Sequence, residues 1–153
     1  MITSGQTAPD FILPRDGGGS VTLSALRPGT VVLYFYPKDD TPGCTLEAQD
    51  FNARLADFTA AGCTVIGISK DSVKAHDKFC KKHGLSIVLA SDEAGTTCED
   101  YGVWLEKSMY GKTYMGIERT TVLIDGTGQV AQVWNKVSVK GHAEAVLAAV
   151  RAL

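Results

Sequence analysis

Val31-Val32-Leu33-Tyr34-Phe35-Tyr36-Pro37-Lys38-Asp39-Asp40-Thr41-Pro42-Gly43-Cys44-Thr45-Leu46-Glu47 is the stretch that decides the fold. Its first six residues are apolar or aromatic and lie between Pro28-Gly29 and Pro37. A short continuous run bounded by breakers reads as a strand buried on both faces. The polar loop after it leads into a helix. Thr41 suits the N-cap and Pro42 the first helical position, where a missing N–H costs nothing. Asp40 is a competing cap. Phe51, Leu55 and Phe58 then recur at helical spacing, and Gly62 ends the helix.

Outward from this stretch, strands and helices alternate. Phe11-Ile12-Leu13 and Val21-Thr22-Leu23 flank the glycine run 17–19 and read as an N-terminal hairpin. Cys63 to Ser69 is a strand. The Asp71/Ser72 cap opens a helix that runs to Gly84 and carries Cys80. Ile87 to Leu89 is the next strand, and Ala94 to Tyr101 a short helix with Cys98. Thr120–Ile124 and Gln129–Trp134 surround Asp125-Gly126-Thr127-Gly128 as a second hairpin. A last helix covers about 140–152. Alternation implies parallel crossovers, and the late hairpin adds antiparallel strands to the same sheet. The expected fold class is α/β, one domain over 1–153. It has a mixed central sheet, helices on both faces and an N-terminal β-hairpin.

Composition narrows the function classes. Of the 153 residues, 44% are hydrophobic and 21% charged, with a formal net charge of -2. These values fit a globular protein with its own core. No basic stripe points to nucleic acid, and no apolar run reaches membrane-spanning length. The first residues lack a secretory pattern, which with the cysteine usage favours a reducing compartment, the cytoplasm. The cysteines are Cys44, Cys63, Cys80 and Cys98, without any C-x-x-C pair. Zinc and dithiol redox motifs are therefore disfavoured.

Cys44 falls at the third helical position. Open backbone amides and the helix dipole favour an anion there, as for a reactive thiolate. Thr41 brings a hydroxyl three residues earlier, and Pro37 and Pro42 stiffen the loop. Glu47 lies one turn on and is suited to orient a cation. Thiolate chemistry on an oxygen-rich substrate also needs a fixed positive group. Arg119, at the start of the strand Thr120–Ile124, is the best placed of five arginines. Around Cys80, Lys78, Lys81, Lys82 and His83 favour a thiolate, whereas the nearby helix C-terminus opposes one. The bland alternative makes Cys80 a core-facing residue beside Phe79. Cys63 reads as structural, and Cys98 as a packing residue or backup partner. His76, His83 and His142 share no metal-ligand spacing and default to surface or helix-end roles. Trp104, Tyr110 and Tyr114 either border the substrate opening or pack in the core and loops.

Pro37-x-x-x-Thr41-x-x-Cys44 with Arg119 downstream resembles the active-site pattern of peroxiredoxins. The strings Asp40-Thr41-Pro42-Gly43-Cys44-Thr45 and Arg119-Thr120-Thr121-Val122-Leu123-Ile124-Asp125, with Ala8-Pro9-Asp10-Phe11, are similar to the peroxiredoxin Q or bacterioferritin comigratory protein branch. The resemblance implies a thioredoxin-like fold and reduction of hydrogen peroxide and organic hydroperoxides. It implies that Cys44 attacks the peroxide and becomes a sulfenic acid. Thr41 and Arg119 would hold the peroxide, and Pro37 and Pro42 would shield the sulfur. No metal, haem or flavin is called for. Many members carry a resolving cysteine five residues after the attacking one, but here that residue is Gln49. A subset places it in the next helix, where Cys80 falls. The expected cycle is a Cys44–Cys80 disulfide, local unfolding to form it, and reduction by thioredoxin or glutaredoxin, in a monomer. The alternatives are a one-cysteine peroxidase resolved by external thiol, and a redox-sensing interaction protein.

Overall fold

The computed structural model describes residues 1–153. An antiparallel hairpin, β1 (Ile12–Pro14) and β2 (Ser20–Thr22), leads through a 3-10 turn at Leu23–Leu26 into β3 (Thr30–Phe35). Then follow α1 (Pro42–Ala53), α2 (Leu55–Ala60), β4 (Cys63–Ser69), α3 (Val73–His83), β5 (Val88–Ser91) and α4 (Thr97–Asp100). The chain closes with β6 (Trp104–Met109), β7 (Lys112–Ile117), β8 (Thr120–Ile124), β9 (Val130–Trp134) and α5 (His142–Arg151). The central sheet has the order β5-β4-β3-β8-β9. β3 pairs in parallel with β4 and antiparallel with β8, so the sheet is mixed, as the alternation predicts.

β3 divides the core in two because successive side chains point to opposite faces. Val31, Leu33 and Phe35 join Phe11, Leu13, Cys98 and Tyr101 on one side. Val32, Tyr34 and Tyr36 join Cys44, Phe51, Phe58, Phe79 and Val146 on the other. The first layer is the N-terminal hairpin and the short α4. The second is α1, α2, α3 and α5. Helices therefore lie on both faces, unequally. Gly67 on β4 is needed on the helical side: a Cβ there would come within 2.6 Å of the Tyr34 ring.

The structure corrects two local expectations and adds one hairpin. The helix after β3 does not continue to Gly62 but breaks at Arg54, whose backbone turns to φ -107°, ψ 9°. The Arg54 guanidinium is drawn to the Asp50 carbonyl and to Glu144 of α5, at 3.1 and 2.5 Å. Phe51 and Phe58 are still both fully buried across the break. The helix expected from Ala94 is only α4, because the buried Asp92 carboxylate accepts the Thr97 and Cys98 amides and fixes its start there. The β6–β7 hairpin lies outside the elements read from the sequence. Its turn places Tyr110 and Gly111 at φ 52° and 76°, the geometry of a two-residue hairpin turn. Tyr110, at 97% exposed, does not pack in the core, and Tyr114 is exposed too.

Candidate active site

The loop after β3 carries Lys38, Asp39 and Asp40 and ends in the first turn of α1. Thr41 is the N-cap residue with extended backbone, and Pro42 follows at the first helical position. The Thr41 hydroxyl does not cap the helix. It donates to the Lys38 carbonyl at 3.0 Å, which leaves its lone pairs to accept. Thr45 N–H donates to the Thr41 carbonyl at 2.8 Å and starts the helical ladder. Cys44 therefore sits at the third helical position, on the buried side, only 2% exposed.

Arg119 enters from the segment between β7 and β8, the neighbour of β3. Its Nη2 donates to Cys44 Sγ at 3.3 Å, and its Nη1 to Glu47 Oε1 at 2.7 Å. The guanidinium lies over Gly43, where an added Cβ would stand 3.4 Å from Nη2. Glu47 is buried one helical turn from Gly43, and its Oε2 has no partner. Burial pushes the Glu47 carboxyl up to about 7, against the pull of Arg119. The pair still fixes the guanidinium plane, because one fork arm is held while the other meets the sulfur. Here a thiol, a permanent cation and hydrogen-bond acceptors converge where the helix amides open.

With that geometry in place, comparisons with known proteins agree. Residues 4–133 match the AhpC/TSA family. The chain belongs to that family. It is 52% identical over 146 residues to a putative peroxiredoxin bcp of Coxiella burnetii, covering 95% of this chain and 97% of that protein. Xanthomonas campestris Peroxiredoxin Q has a solved structure with a TM-score of 0.90 and 49% identity, covering 99% of this chain and 96% of that one. A Xanthomonas campestris bacterioferritin comigratory protein was solved in trapped intermediate and ligand complexes that address its alkyl peroxide reduction activity. It matches with a TM-score of 0.90 and 47% identity over 99% and 96% of the two chains. The thioredoxin-like peroxiredoxin fold and the peroxidase class are thus those of this chain.

Within this peroxiredoxin, Cys44, Arg119 and Glu47 are brought into direct contact, and Thr41 stands at the same helix start. Pro37 on the loop and Pro42 at the start of α1 are both exposed. Gln49 is exposed as well. Cys80, half-buried in α3, packs against the same apolar cluster as Cys44, and all four cysteines are free thiols. Its surroundings overturn one half of the sequence reading, that nearby cations favour its thiolate. The lysines around it do not make a thiolate site. Burial, with the Asp16 carboxylate 3.8 Å from Sγ and with Asp39 and Asp77 nearby, pushes the Cys80 thiol up to about 12. The Asp16 loop folds back between the strands of the N-terminal hairpin, where Asp16 N–H donates to the Leu89 carbonyl at 2.9 Å. Cys63 is buried and pushed up to about 12 by desolvation. Cys98 is wholly buried, and burial together with Asp92 raises its thiol further, which leaves it the packing role.

Two histidines also depart from the surface default. His76 on α3 is fully buried, and His142 at the start of α5 is 7% exposed. His142 Nε2 pairs with the Thr121 hydroxyl at 2.8 Å, and burial with the Arg119 charge lowers it to about 4. His142 does lie at a helix end, though buried, and His83 lies at the end of α3, where it bonds Asp40 at 3.0 Å. A histidine four residues before a cysteine on one helix face was the available signal for His76.

Proposed function

We propose that this protein reduces hydrogen peroxide and organic hydroperoxides through Cys44, as one thioredoxin-like peroxiredoxin domain over 1–153. The observation that carries the reading is the Arg119 guanidinium 3.3 Å from a cysteine sulfur at a helix start. The Cys44 thiolate attacks one peroxide oxygen. The S–O bond forms as the O–O bond breaks, and the departing oxygen takes a proton to leave as water or alcohol. Arg119 stabilises the charge that develops on that oxygen, and Glu47 holds the guanidinium in place. The Thr41 hydroxyl, its own proton given to Lys38, accepts a hydrogen bond from the peroxide O–H. Pro37 and Pro42 keep the loop stiff around the sulfur. The alkyl peroxide reduction activity of the Xanthomonas campestris relative supports the same substrate class.

Cys80 is the resolving thiol in this reading, and thioredoxin or glutaredoxin reduces the resulting disulfide. The protein works as a monomer in the cytoplasm. A disulfide requires Cα atoms within about 7 Å. Cys44 and Cys80 sit on separate helices with separate polar partners, so the first turn of α1 and part of α3 open to join them. Intact-mass and peptide mapping after one equivalent of peroxide test the assignment. Wild type is expected to lose two hydrogens and yield a Cys44–Cys80 peptide. Cys80→Ser is expected to retain a sulfenic acid, and Cys44→Ser to leave peroxide unconsumed. A second reading, resolution by an external thiol, is favoured by the hold of Asp16 on the Cys80 thiol. Undiminished thioredoxin-supported turnover by Cys80→Ser would select it.

A further inference from the structure

The loop that leads to Cys44 and the helix that carries Cys80 are joined by a buried charged contact. His76 Nε2 donates to the Ala90 carbonyl at 3.0 Å, and a carbonyl only accepts. His76 Nδ1 lies 2.6 Å from Asp39 Oδ2. Against a carboxylate, Nδ1 must also carry a proton, so the ring is an imidazolium held between two acceptors. The other Asp39 oxygen accepts from the Tyr36 hydroxyl at 2.5 Å, and Asp39 N–H donates to Asp71 Oδ2 at 2.9 Å. Asp71 in turn accepts from Ser69. Burial opposes the charge on His76, and the Asp39 bond and charge, with Ala90 and Asp71, outweigh it. The His76–Asp39 contact is already closed as a direct hydrogen bond, which leaves no place for a metal ion between them.

A second, exposed contact lies on the other side of Cys80. Asp40, in the left-handed region at φ 60°, accepts from Lys82 Nζ at 2.7 Å and from His83 Nε2 at 3.0 Å. A cavity of about 350 Å³, bounded by Lys38, Asp40, Lys78 and Lys82, separates the loop from α3 between these contacts. Loop and helix therefore touch through two ionic contacts placed one turn before and one turn after the cysteine.

We propose that Asp39 and His76 are positioning residues for the resolving step: their buried ion pair, backed by Asp40, latches the helix of Cys80 to the loop of Cys44. The inference rests on the reading that Cys80 resolves. In that step the Cys44 S–O bond breaks and the S–S bond forms. The Cys80 proton leaves with the hydroxide as water, so no outside oxidant or reductant takes part. Neither Asp39 nor His76 touches the peroxide. The latch sets how long the sulfenic acid persists before the helices open, and hence how often a second peroxide reaches it.

The test is a single turnover of the full chain with hydrogen peroxide, quenched with an alkylating agent and read by intact mass. Wild type, His76→Gln and Asp40→Asn are compared, with near-ultraviolet circular dichroism as the check on folding. Loss of a buried charged hydrogen bond should speed disulfide formation about tenfold in His76→Gln. Loss of an exposed pair should speed it about twofold in Asp40→Asn. Sulfenic acid formation should be unchanged in both, and the yield of sulfinic acid at excess peroxide should fall. Equal disulfide rates in the three proteins overturn the latch while leaving Cys80 as resolver. A slowed first step in His76→Gln also overturns it, because the pair would then shape the peroxide site. If wild type forms no Cys44–Cys80 bond, both readings fall. If His76→Gln does not fold, the Asp40→Asn rate decides.

Discussion

Around Cys44 the nearest charge is the Arg119 guanidinium, 3.3 Å from sulfur. Around Cys80 it is the Asp16 carboxylate, 3.8 Å away. The two histidines divide in the same way. His142, on the arginine side, is kept neutral by burial and by Arg119. His76, on the aspartate side, is charged against burial by Asp39. One apolar cluster thus supports a cationic site and an anionic one. The two thiols therefore have opposite surroundings: one meets a guanidinium, and the other meets a carboxylate that, together with burial, opposes its ionisation.

The contrast can be broken most severely at Arg119. Arg119→Lys keeps the charge but loses the planar fork shared between sulfur and Glu47. Peroxide reduction should fall about a hundredfold in kcat/KM, measured by stopped-flow consumption. A near-normal rate would mean that charge alone suffices. Glu47→Gln keeps one acceptor and removes the anion, and should cost about tenfold in the same assay.

The anionic side is tested by titrating Cys80 with iodoacetamide in a Cys44→Ser background. In the folded protein the alkylation rate should still be climbing at pH 10, since the thiol is pushed up to about 12. In urea the same thiol should titrate near the ordinary value of about 8.5. Asp16→Asn should speed folded-state alkylation at pH 8 several-fold, because a like charge is removed while burial remains.

The smallest effect concerns the histidines. The His142 value in the fold, about 4, lies below that of the unfolded chain, about 6.5. Its contribution to stability is fully present above pH 6.5 and is lost as pH falls toward 4. The slope is at most about 1.4 kcal/mol per pH unit. His142→Gln should flatten that acid limb in urea melts. For His76 the sign reverses: its contribution is present below the unfolded value and lost as pH rises through the higher folded one.

Much of this was legible from the chain. The apolar run of β3, the proline after Thr41 and the period of α1 place Cys44 at a helix start from local chemistry alone. Arg119, 75 residues away, was found by placement and by the resemblance of its strand, and it makes the contact. The environment of Cys80 was misread because its sequence neighbours are lysines, of which Lys82 extends outward to Asp40. The groups that act on its sulfur come from elsewhere: Asp16 is 64 residues distant. The latch pair is likewise 37 residues apart and joins a loop to a helix. Nothing in either local pattern signals the other. At the Arg54 break the guanidinium also meets Glu144, 90 residues on, a contact that no local pattern signals.

Asn52, near the end of α1, ties that helix to the segment that follows α3. Its side chain accepts from Ser86 N–H at 2.7 Å and donates to the Gly84 carbonyl at 3.4 Å, just past α3. The C-terminal ends of both helices are thus moored to each other, about two turns beyond Cys44 and one turn beyond Cys80. In the proposed resolving step, Cys44 therefore swings on a leash of about two helical turns and Cys80 on about one. The search for a partner is then confined to a small volume, with an effective concentration in the millimolar range or above for short tethers. On that reading the fold loosens where the proposed bond forms and stays tied one turn beyond it.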